Sequence, residues 1–524
     1  MDLILFALAL ASVQPQTPAS GPAMTPVVAS ARADTSDVDV AVASLREDLD
    51  RILRRANLLN ERASVLVFSL DGGDTLFAHN ADRPLAPASN LKLFTSAAGL
   101  FYLGPDFRYN TYLLANGPVR NGVLEGDLVL YGTGDPTLSE RFGPDVMAAF
   151  ADTLVAMGIE EVRGAIIGDA SFFEGSGLGD GWQTSYSNAV YAAPASALSY
   201  SENIAVLEVR PGLSAGSPAL AALLPGGEGI AIRNEVRTIA SGRSSVRVTR
   251  EGYAGPIVVR GQISRRTSRI RWSVPVAEPA RFAAAALKAA LVERAVIATG
   301  EVRAISDRTE SPISGRSLFA PALGSGSRIR VLAIHTSPRL LEVLEVVNKR
   351  SNNFMAEQVL RTVGRVARGR GSVDGGADAV GHFAGEVGIA PASFEVHDGS
   401  GLSALNRTSA RSVVALLSYV AESSLWTPFW YTLPEAGAPD GLRRMIGTAA
   451  EGRLRAKTGT INQVSALSGY VRSAGGERLA FSILNNRPGS AWAAKRVEDE
   501  IGARLAGFER PVNNGVPDPP EPQH

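Results

Sequence analysis

The sequence contains no cysteine. That excludes disulfides, thiolate nucleophiles and cysteine-ligated zinc, but leaves the compartment open, because a cysteine-free chain tolerates any redox poise. Histidine is scarce too, with five residues at 79, 335, 382, 397 and 524. No His-Glu-x-x-His pair or clustered ligand set occurs, so no metal site is expected. His397 and Asp398 are adjacent in the chain, the wrong geometry for a triad by themselves. Walker loops and Rossmann glycine fingerprints are missing, and no cofactor is implied. An excess of one charge is missing as well. The 52 basic and 52 acidic residues cancel, which argues against chain-wide nucleic-acid binding but not against a local patch.

Lysine is the most telling shortage. Only five occur, at 92, 288, 349, 457 and 495, so 47 of the 52 basic residues are arginine. Where a generic positive charge suffices, this chain uses arginine. A lysine here is more apt to be required for its compact ammonium and movable pKa. Otherwise the composition is ordinary: 45% apolar and 20% charged residues exclude a disordered or membrane-embedded chain. A length of 524 residues suggests three to four domains.

Met1 to Val13 is an apolar run of signal-peptide length, too short to span a bilayer, and Ala9-Leu10-Ala11 supplies a small-x-small cleavage site. The first basic residue is Arg32, so the usual basic n-region is missing, and a frayed apolar terminus is the competing reading. The expected organisation is a signal peptide over 1–22, a linker over 23–37 and a disordered tail over 511–524. Val42, Leu45, Leu49 and Ile52 mark a helix, and Ser64–Leu70 with Thr75–Ala78 flank a hairpin turn. Asn90–Leu103 reads as a buried helix and Pro338–Val363 as one long helical stretch. Three late strands surround 453–456, 464–471 and 478–484, and a closing helix spans 491–505. The early and late strands lack partners of their own, so they are expected to share one sheet. That makes 107–317 a large insertion, within which 204–271 alternates apolar residues with arginines as a separate small β module.

Chemistry gathers around lysine. In Ser89-Asn-Leu-Lys92 the two end residues lie three apart on one helical face, so the amine can reach the hydroxyl. A serine at a helix start also gains from the dipole, and nearby backbone N–H groups can hold an oxyanion. Alone this motif is weak, since Ser89 also fits a helix cap and Lys92 a surface charge. Ser351-Asn352-Asn353, two residues after Lys349, is weaker still, because polar triplets usually face solvent. Lys457-Thr458-Gly459-Thr460 sits on a strand where the small glycine would let a ligand backbone lie against the edge; the competing reading is an exposed strand charge.

In this order, Ser-x-x-Lys, Ser-x-Asn and Lys-Thr-Gly resemble the signature set of penicillin-binding proteins and serine β-lactamases. The first two motifs are 262 residues apart and the last two 106. Further segments, among them Gly132-Thr-Gly-Asp-Pro-Thr-Leu138, Gly168-Asp-Ala-Ser-Phe-Phe173, Asn348–Glu357 and Asp398-Gly-Ser-Gly-Leu-Ser403, resemble the low-molecular-mass class C penicillin-binding proteins, the D-alanyl-D-alanine carboxypeptidase/endopeptidase family. The resemblance covers roughly residues 60–508.

It implies an α+β fold: a transpeptidase-like domain, an antiparallel sheet flanked by helices, built from 38–106 and 318–510. Domain II (107–197 and 272–317) and a small β domain III (198–271) would be nested within it. The implied substrates are peptidoglycan stem peptides and cross-links, with β-lactams as covalent inhibitors and an extracytoplasmic location. Ser89 would be the nucleophile and Lys92 its base, with a pKa depressed by desolvation and by Lys457. Ser351 would relay a proton and Asn353 would hold a substrate amide and the Lys92 amine. Lys457, Thr458, Gly459 and Thr460 would line the carboxylate site, with the backbone N–H groups of Ser89 and Thr460 as oxyanion hole. Asp169, with Phe173 nearby, matches a residue that recognises a diamino-acid amine in some members; a turn aspartate after a strand is the alternative. Ala404 and Asn462 replace an Arg and a Gln of some members, which leaves side-chain preference open. A β-lactamase and a non-catalytic peptidoglycan scaffold are the rivals. Against the first, Glu386 is followed by Val-Gly-Ile-Ala390 rather than the Glu-x-x-x-Asn that drives fast deacylation. Against the second, a pure binder has no need of all five motif residues.

Overall fold

The computed structural model describes residues 35–227, 230–314, 319 and 329–510. The expected signal peptide, most of the linker and the tail lie outside the described residues.

The early and late strands do share a sheet. Its order is Thr75–His79, Ala63–Ser69, Arg478–Asn486, Val464–Arg472, Leu454–Ile461, antiparallel throughout. Helices cover both faces, so the central strands are buried along nearly their whole length. On one face lie the helices Thr35–Arg55 and Ala491–Ala506. Their Leu45, Leu49 and Ile501 pack against Val65, Leu467 and Ile483. The buried stripe of the first helix continues through Leu53, while Ile52 is only partly covered. On the other face sit the helices Leu91–Leu103, Leu340–Lys349, Asn353–Arg368 and Ala410–Ala421, packed through Leu93, Phe94, Val359 and Leu417 onto Leu66, Tyr470 and Ala480.

Two expectations need correction. The single helix over Pro338–Val363 is two, Leu340–Lys349 and Asn353–Arg368. Ser351 breaks them with a left-handed φ of 55°, and the Asn352 side chain accepts from Met355 N to cap the second. The six polar residues Asn348–Asn353 interrupt the apolar pattern here, but it resumes in helical phase at Phe354, seven residues after Val347, so the two helices read as one. The return to the catalytic sheet also comes later than residue 318. Ile329–Thr336 pairs antiparallel with Asn110–Asn116 as an edge strand of the inserted sheet. Its half-exposed pattern carries little core signal, and the preceding Gly/Ser/Pro-rich stretch reads as a boundary.

The inserted sheet runs Val302–Ile305, Ile166–Asp169, Asp127–Gly132, Asn110–Asn116, Ile329–Thr336, with helices Val146–Ala156 and Pro279–Glu293 in its core. Within it are nested two three-stranded sheets spanning 204–275, so the strand Ile270–Pro275 runs past the expected boundary at 271.

Candidate active site

Ser89 lies in the one-turn 3-10 helix Ala88–Asn90 that leads into Leu91–Leu103, and it is the partly open residue of an otherwise buried run. One helical turn on, Lys92 is completely buried. Its Nζ donates to Ser89 Oγ at 3.0 Å, to Asn353 Oδ1 at 2.7 Å and to the Ser400 carbonyl at 2.6 Å. The break between the two helices puts Asn353 at this amine and Ser351 at the amine of Lys457. Ser351 Oγ accepts from Lys457 Nζ at 2.9 Å, and Asn353 Nδ2 donates to the Tyr191 carbonyl of the insertion at 2.8 Å. Lys457 is also fully buried and donates to the Thr458 carbonyl. The five motif residues thus form two hydrogen-bonded groups, Ser89–Lys92–Asn353 and Ser351–Lys457, coupled through the charges of the two lysines.

Leu454–Ile461 is an end strand of its sheet, with Thr458 half-buried and Thr460 exposed. Asn90 Nδ2 ties it to the nucleophile turn by donating to the Lys457 carbonyl at 3.1 Å. A Cβ on Gly459 would come within 2.8 Å of the Pro87 carbonyl and 2.9 Å of Asn90 Nδ2. What presses on this glycine is thus the chain's own nucleophile turn, rather than a ligand backbone.

Burial lowers the Lys92 pKa from 10.5 to about 7, against the opposing pull of Asp398 and Glu357. Lys457 is held well below its ordinary range, by burial first and by Lys92 second. This revises the expectation that Lys457 would depress Lys92. The amine that yields its proton first carries no charge to press on the other, so here Lys92 acts on Lys457.

Motif reading missed the tier beneath. Glu357 and Arg361 are one turn apart on Asn353–Arg368 and fully buried. Glu357 Oε1 accepts from Gly399 N and Ser400 N at 2.9 and 3.0 Å, and Oε2 from Arg361 Nη1 at 2.9 Å. Arg361 Nη2 reaches the carbonyls of Ser176 and Leu178 in the insertion. Asp398 accepts from Gly401 N, Ser403 N, Asn406 Nδ2 and Trp182 Nε1, all within 2.9 Å. Both carboxylates thereby fix the turn that offers the Ser400 carbonyl to Lys92. Gly401, at φ 78°, packs so closely that a Cβ would stand 1.9 Å from the Ala88 carbonyl. The available signal was a Glu and an Arg four apart, at ion-pair spacing on one helical face.

Asp169 and Phe173 do not join this cluster. Asp169 is buried, with Oδ1 accepting from Ser171 N at 2.9 Å and Oδ2 from Ser311 Oγ at 2.5 Å. Both oxygens are occupied within the insertion, the arrangement of the turn-aspartate alternative. Phe173 lines a separate cleft of about 430 Å³ with Glu174, Glu278, Arg281 and Arg361. Glu386 is exposed at the end of its helix. Among the described residues no group of acidic and histidine side chains could hold a metal ion, and no helix is long and apolar enough to cross a membrane.

Residues 45–508 match the D-Ala-D-Ala carboxypeptidase 3 (S13) family. A D-alanyl-D-alanine carboxypeptidase of Actinomadura sp. (strain R39) is 36% identical over 480 residues, 88% of this chain and 85% of that protein. D-alanyl-D-alanine carboxypeptidase DacB of Haemophilus influenzae is 25% identical over 447 residues, 83% and 87% of the two chains. The crystal structure of penicillin binding protein 4 (dacB) from Haemophilus influenzae has the same fold, with a TM-score of 0.70 at 23% identity over 87% of this chain and 98% of that one. The transpeptidase-like sheet with its nested insertion and the extent of these matches agree: the chain belongs to the D-Ala-D-Ala carboxypeptidase 3 (S13) family of serine peptidases.

Proposed function

We propose that this chain removes the terminal D-alanine from peptidoglycan stem peptides, and opens D-alanyl cross-links at the same site, through an ester on Ser89. One observation carries the assignment of roles: a buried amine whose pKa lies near 7 rests 3.0 Å from Ser89 Oγ. A serine hydroxyl needs a base, and an amine half-deprotonated near neutrality is one.

Ser89 Oγ attacks the carbonyl carbon of the penultimate D-alanine as its proton passes to Lys92 Nζ. The backbone N–H groups of Ser89 and Thr460 hold the oxyanion. On collapse the C–N bond breaks, and Ser351 gives its proton to the departing amine. Lys457, already donating to Ser351 Oγ, replaces that proton. The proton that Lys92 took from Ser89 then passes back to Lys457, which leaves Lys92 neutral. Water attacks the ester as Lys92 takes its proton, and Lys92 returns that proton to Ser89 Oγ as the acid leaves. The substrate carboxylate lies against Lys457, Thr458 and Thr460 at the open strand edge. A negative charge there raises the Lys457 pKa, so substrate recruits the ammonium that binds it. Carboxypeptidase and endopeptidase action differ only in what the leaving amine belongs to. We infer a catalytic unit of 38–106 and about 337–510 with two nested modules, an extracytoplasmic site of action reached through the N-terminal apolar segment, and acylation of Ser89 by β-lactams. A crystal form of the Haemophilus protein complexed with a β-lactam supports the last point.

The test is incubation of the chain and its Ser89→Ala variant with a fluorescent penicillin, followed by a denaturing gel and intact-mass analysis. A stable adduct is expected on the unaltered chain only, on the peptide containing Ser89, with D-alanine released from muropeptides. A folded chain that forms no adduct overturns the reading. A fleeting adduct with lactam turnover assigns a β-lactamase instead.

A further inference from the structure

The nested β module concentrates charge. Residues 204–275 contain eleven arginines, four glutamates, no lysine and no aspartate, an excess of seven positive charges in a chain whose total is zero. The remainder therefore carries the opposite excess.

The placement of these arginines gives the module two unlike ends. The chain enters at Ile204 and leaves at Pro275, which are paired, and Val276 N donates to the Asn203 carbonyl, so this end is the stem. Tyr253 OH donates to the Ala192 carbonyl on the same side. Three turns gather at the far end. The turn after Arg210 docks on the strand Ile232–Ile239 through Gly212 N to Thr238 Oγ1 and Gly216 N to the Thr238 carbonyl, both at 2.8 Å. The turns around 240–244 and 265–269 are joined by Ser244 Oγ and Thr267 Oγ1 at 2.8 Å. Exposed Arg243, Arg265, Arg266 and Arg269 project from these turns.

The module's carboxylates do not neutralise this end. Glu208 is taken by Arg210 and Arg271, with Arg269 at 3.9 Å, and Glu235 by Arg233 and Arg260. Among the described residues Arg243, Arg265 and Arg266 have no carboxylate within ion-pair distance. The same tip carries apolar side chains in water: Leu213 is 96% exposed, the highest value among the exposed large hydrophobics, and Leu220, paired across from Arg210, is 64% exposed. A single surface leucine requires no explanation. Two of them at the cationic end of a neutral protein fit a boundary between anionic headgroups and acyl chains, where a cation stays wet beside an apolar group that inserts. A soluble phosphate polymer would use the arginines and leave the leucines idle.

We propose that this distal tip docks on an anionic phospholipid bilayer, with Arg243, Arg265 and Arg266 against the headgroup phosphates and Leu213 in the interface. The opposite charge on the rest of the chain orients the molecule tip-first as it approaches.

Sedimentation of the purified chain with phosphatidylcholine vesicles, with and without phosphatidylglycerol, tests this. Pure phosphatidylcholine corrects for any binding by the apolar N-terminal segment, which every variant shares. Binding is expected only with phosphatidylglycerol, and is lost in about 1 M salt, where screening acts within about 3 Å. Each basic side chain near such a surface is worth about fivefold, so R243S/R265S/R266S should bind roughly 100-fold more weakly. Leu213→Ser should weaken binding severalfold, while both variants keep the thermal midpoint and penicillin labelling of the parent. Equal binding to neutral and anionic vesicles, or unchanged binding by the arginine variant, overturns the proposal. So does complete displacement by soluble polyphosphate with Leu213→Ser bound as tightly as the parent; that result assigns the tip to a phosphate polymer.

Discussion

The catalytic cradle removes two of the five lysines from water altogether, whereas the nested β module holds eleven arginines, nearly all reaching solvent. Both regions concentrate positive charge, yet they use it differently. Taking an amine out of water lowers its proton affinity toward neutrality, which turns it into a proton carrier. A guanidinium keeps its charge under the same treatment, so it suits surfaces and fixed pairs. The lysine shortage and the arginine surplus are two sides of one division of labour.

The strongest way to break that comparison is to exchange the cations. Lys92→Arg keeps a positive charge at Ser89 but cannot release a proton at accessible pH. Acylation by a fluorescent penicillin should fall by about 10²- to 10⁴-fold, the range general-base assistance supplies. Retained labelling would mean that Lys92 is only a charge. In the parent, acylation should have an acid limb with its midpoint near 7, because Lys92 must be neutral to act. Asp398→Asn removes a charge that pulls this pKa up, so the limb should move to lower pH. A limb unmoved by that variant would leave the two carboxylates as scaffolding alone.

Burial of Lys92 should be visible in stability as well. Its folded-state pKa of about 7 lies below the ordinary 10.5, so between those values the unfolded chain holds a proton that the folded chain lacks. Stability from this group therefore rises with pH across that window, by on the order of 4–5 kcal/mol in all, and is lowest below pH 7. Lys457, depressed in the same direction, adds to the slope. Chemical unfolding at a series of pH values should show this rise in the parent and a shallower one in Lys92→Met. Identical slopes would contradict the desolvated amine.

Sequence reading reached the sheet, the insertion and the five motif residues because each leaves a local mark: alternation, a textural change, a short motif made conspicuous by scarce lysine. What it lost lies where the mark is absent or ambiguous. The polar run around Ser351 is flanked by apolar residues seven apart, in helical phase, and Ile329–Thr336 is an edge strand with little core. Asp169 matched a pattern, but its partner Ser311 is 142 residues away. Glu357, Asp398 and Trp182 act through backbone turns, so only their three-dimensional placement connects them to Lys92.

A milder exchange, Arg→Lys, sharpens the same contrast in both regions. Arg361 is fully buried and its fork serves two directions, toward Glu357 and toward the carbonyls of Ser176 and Leu178. A lysine cannot span both, so two part-buried carbonyls lose their donor beside a buried carboxylate, and Arg361→Lys should cost about 1–3 kcal/mol in chemical unfolding.

Arg260 offers the smallest effect. It pairs with Glu235 at 2.7 Å on the outer face of the module, but its side chain is half-exposed, and Arg233 holds the same carboxylate. An ammonium in that position can still reach Glu235, water covers whatever it leaves, and salt screens the pair. Arg260→Lys should therefore stay within about 0.5 kcal/mol of the parent and bind anionic vesicles as the parent does, since the charge is kept. If it cost as much as Arg361→Lys, the module's arginines would be structural forks rather than a charged surface. The division between buried lysine for chemistry and exposed arginine for charge would then fail on its arginine side.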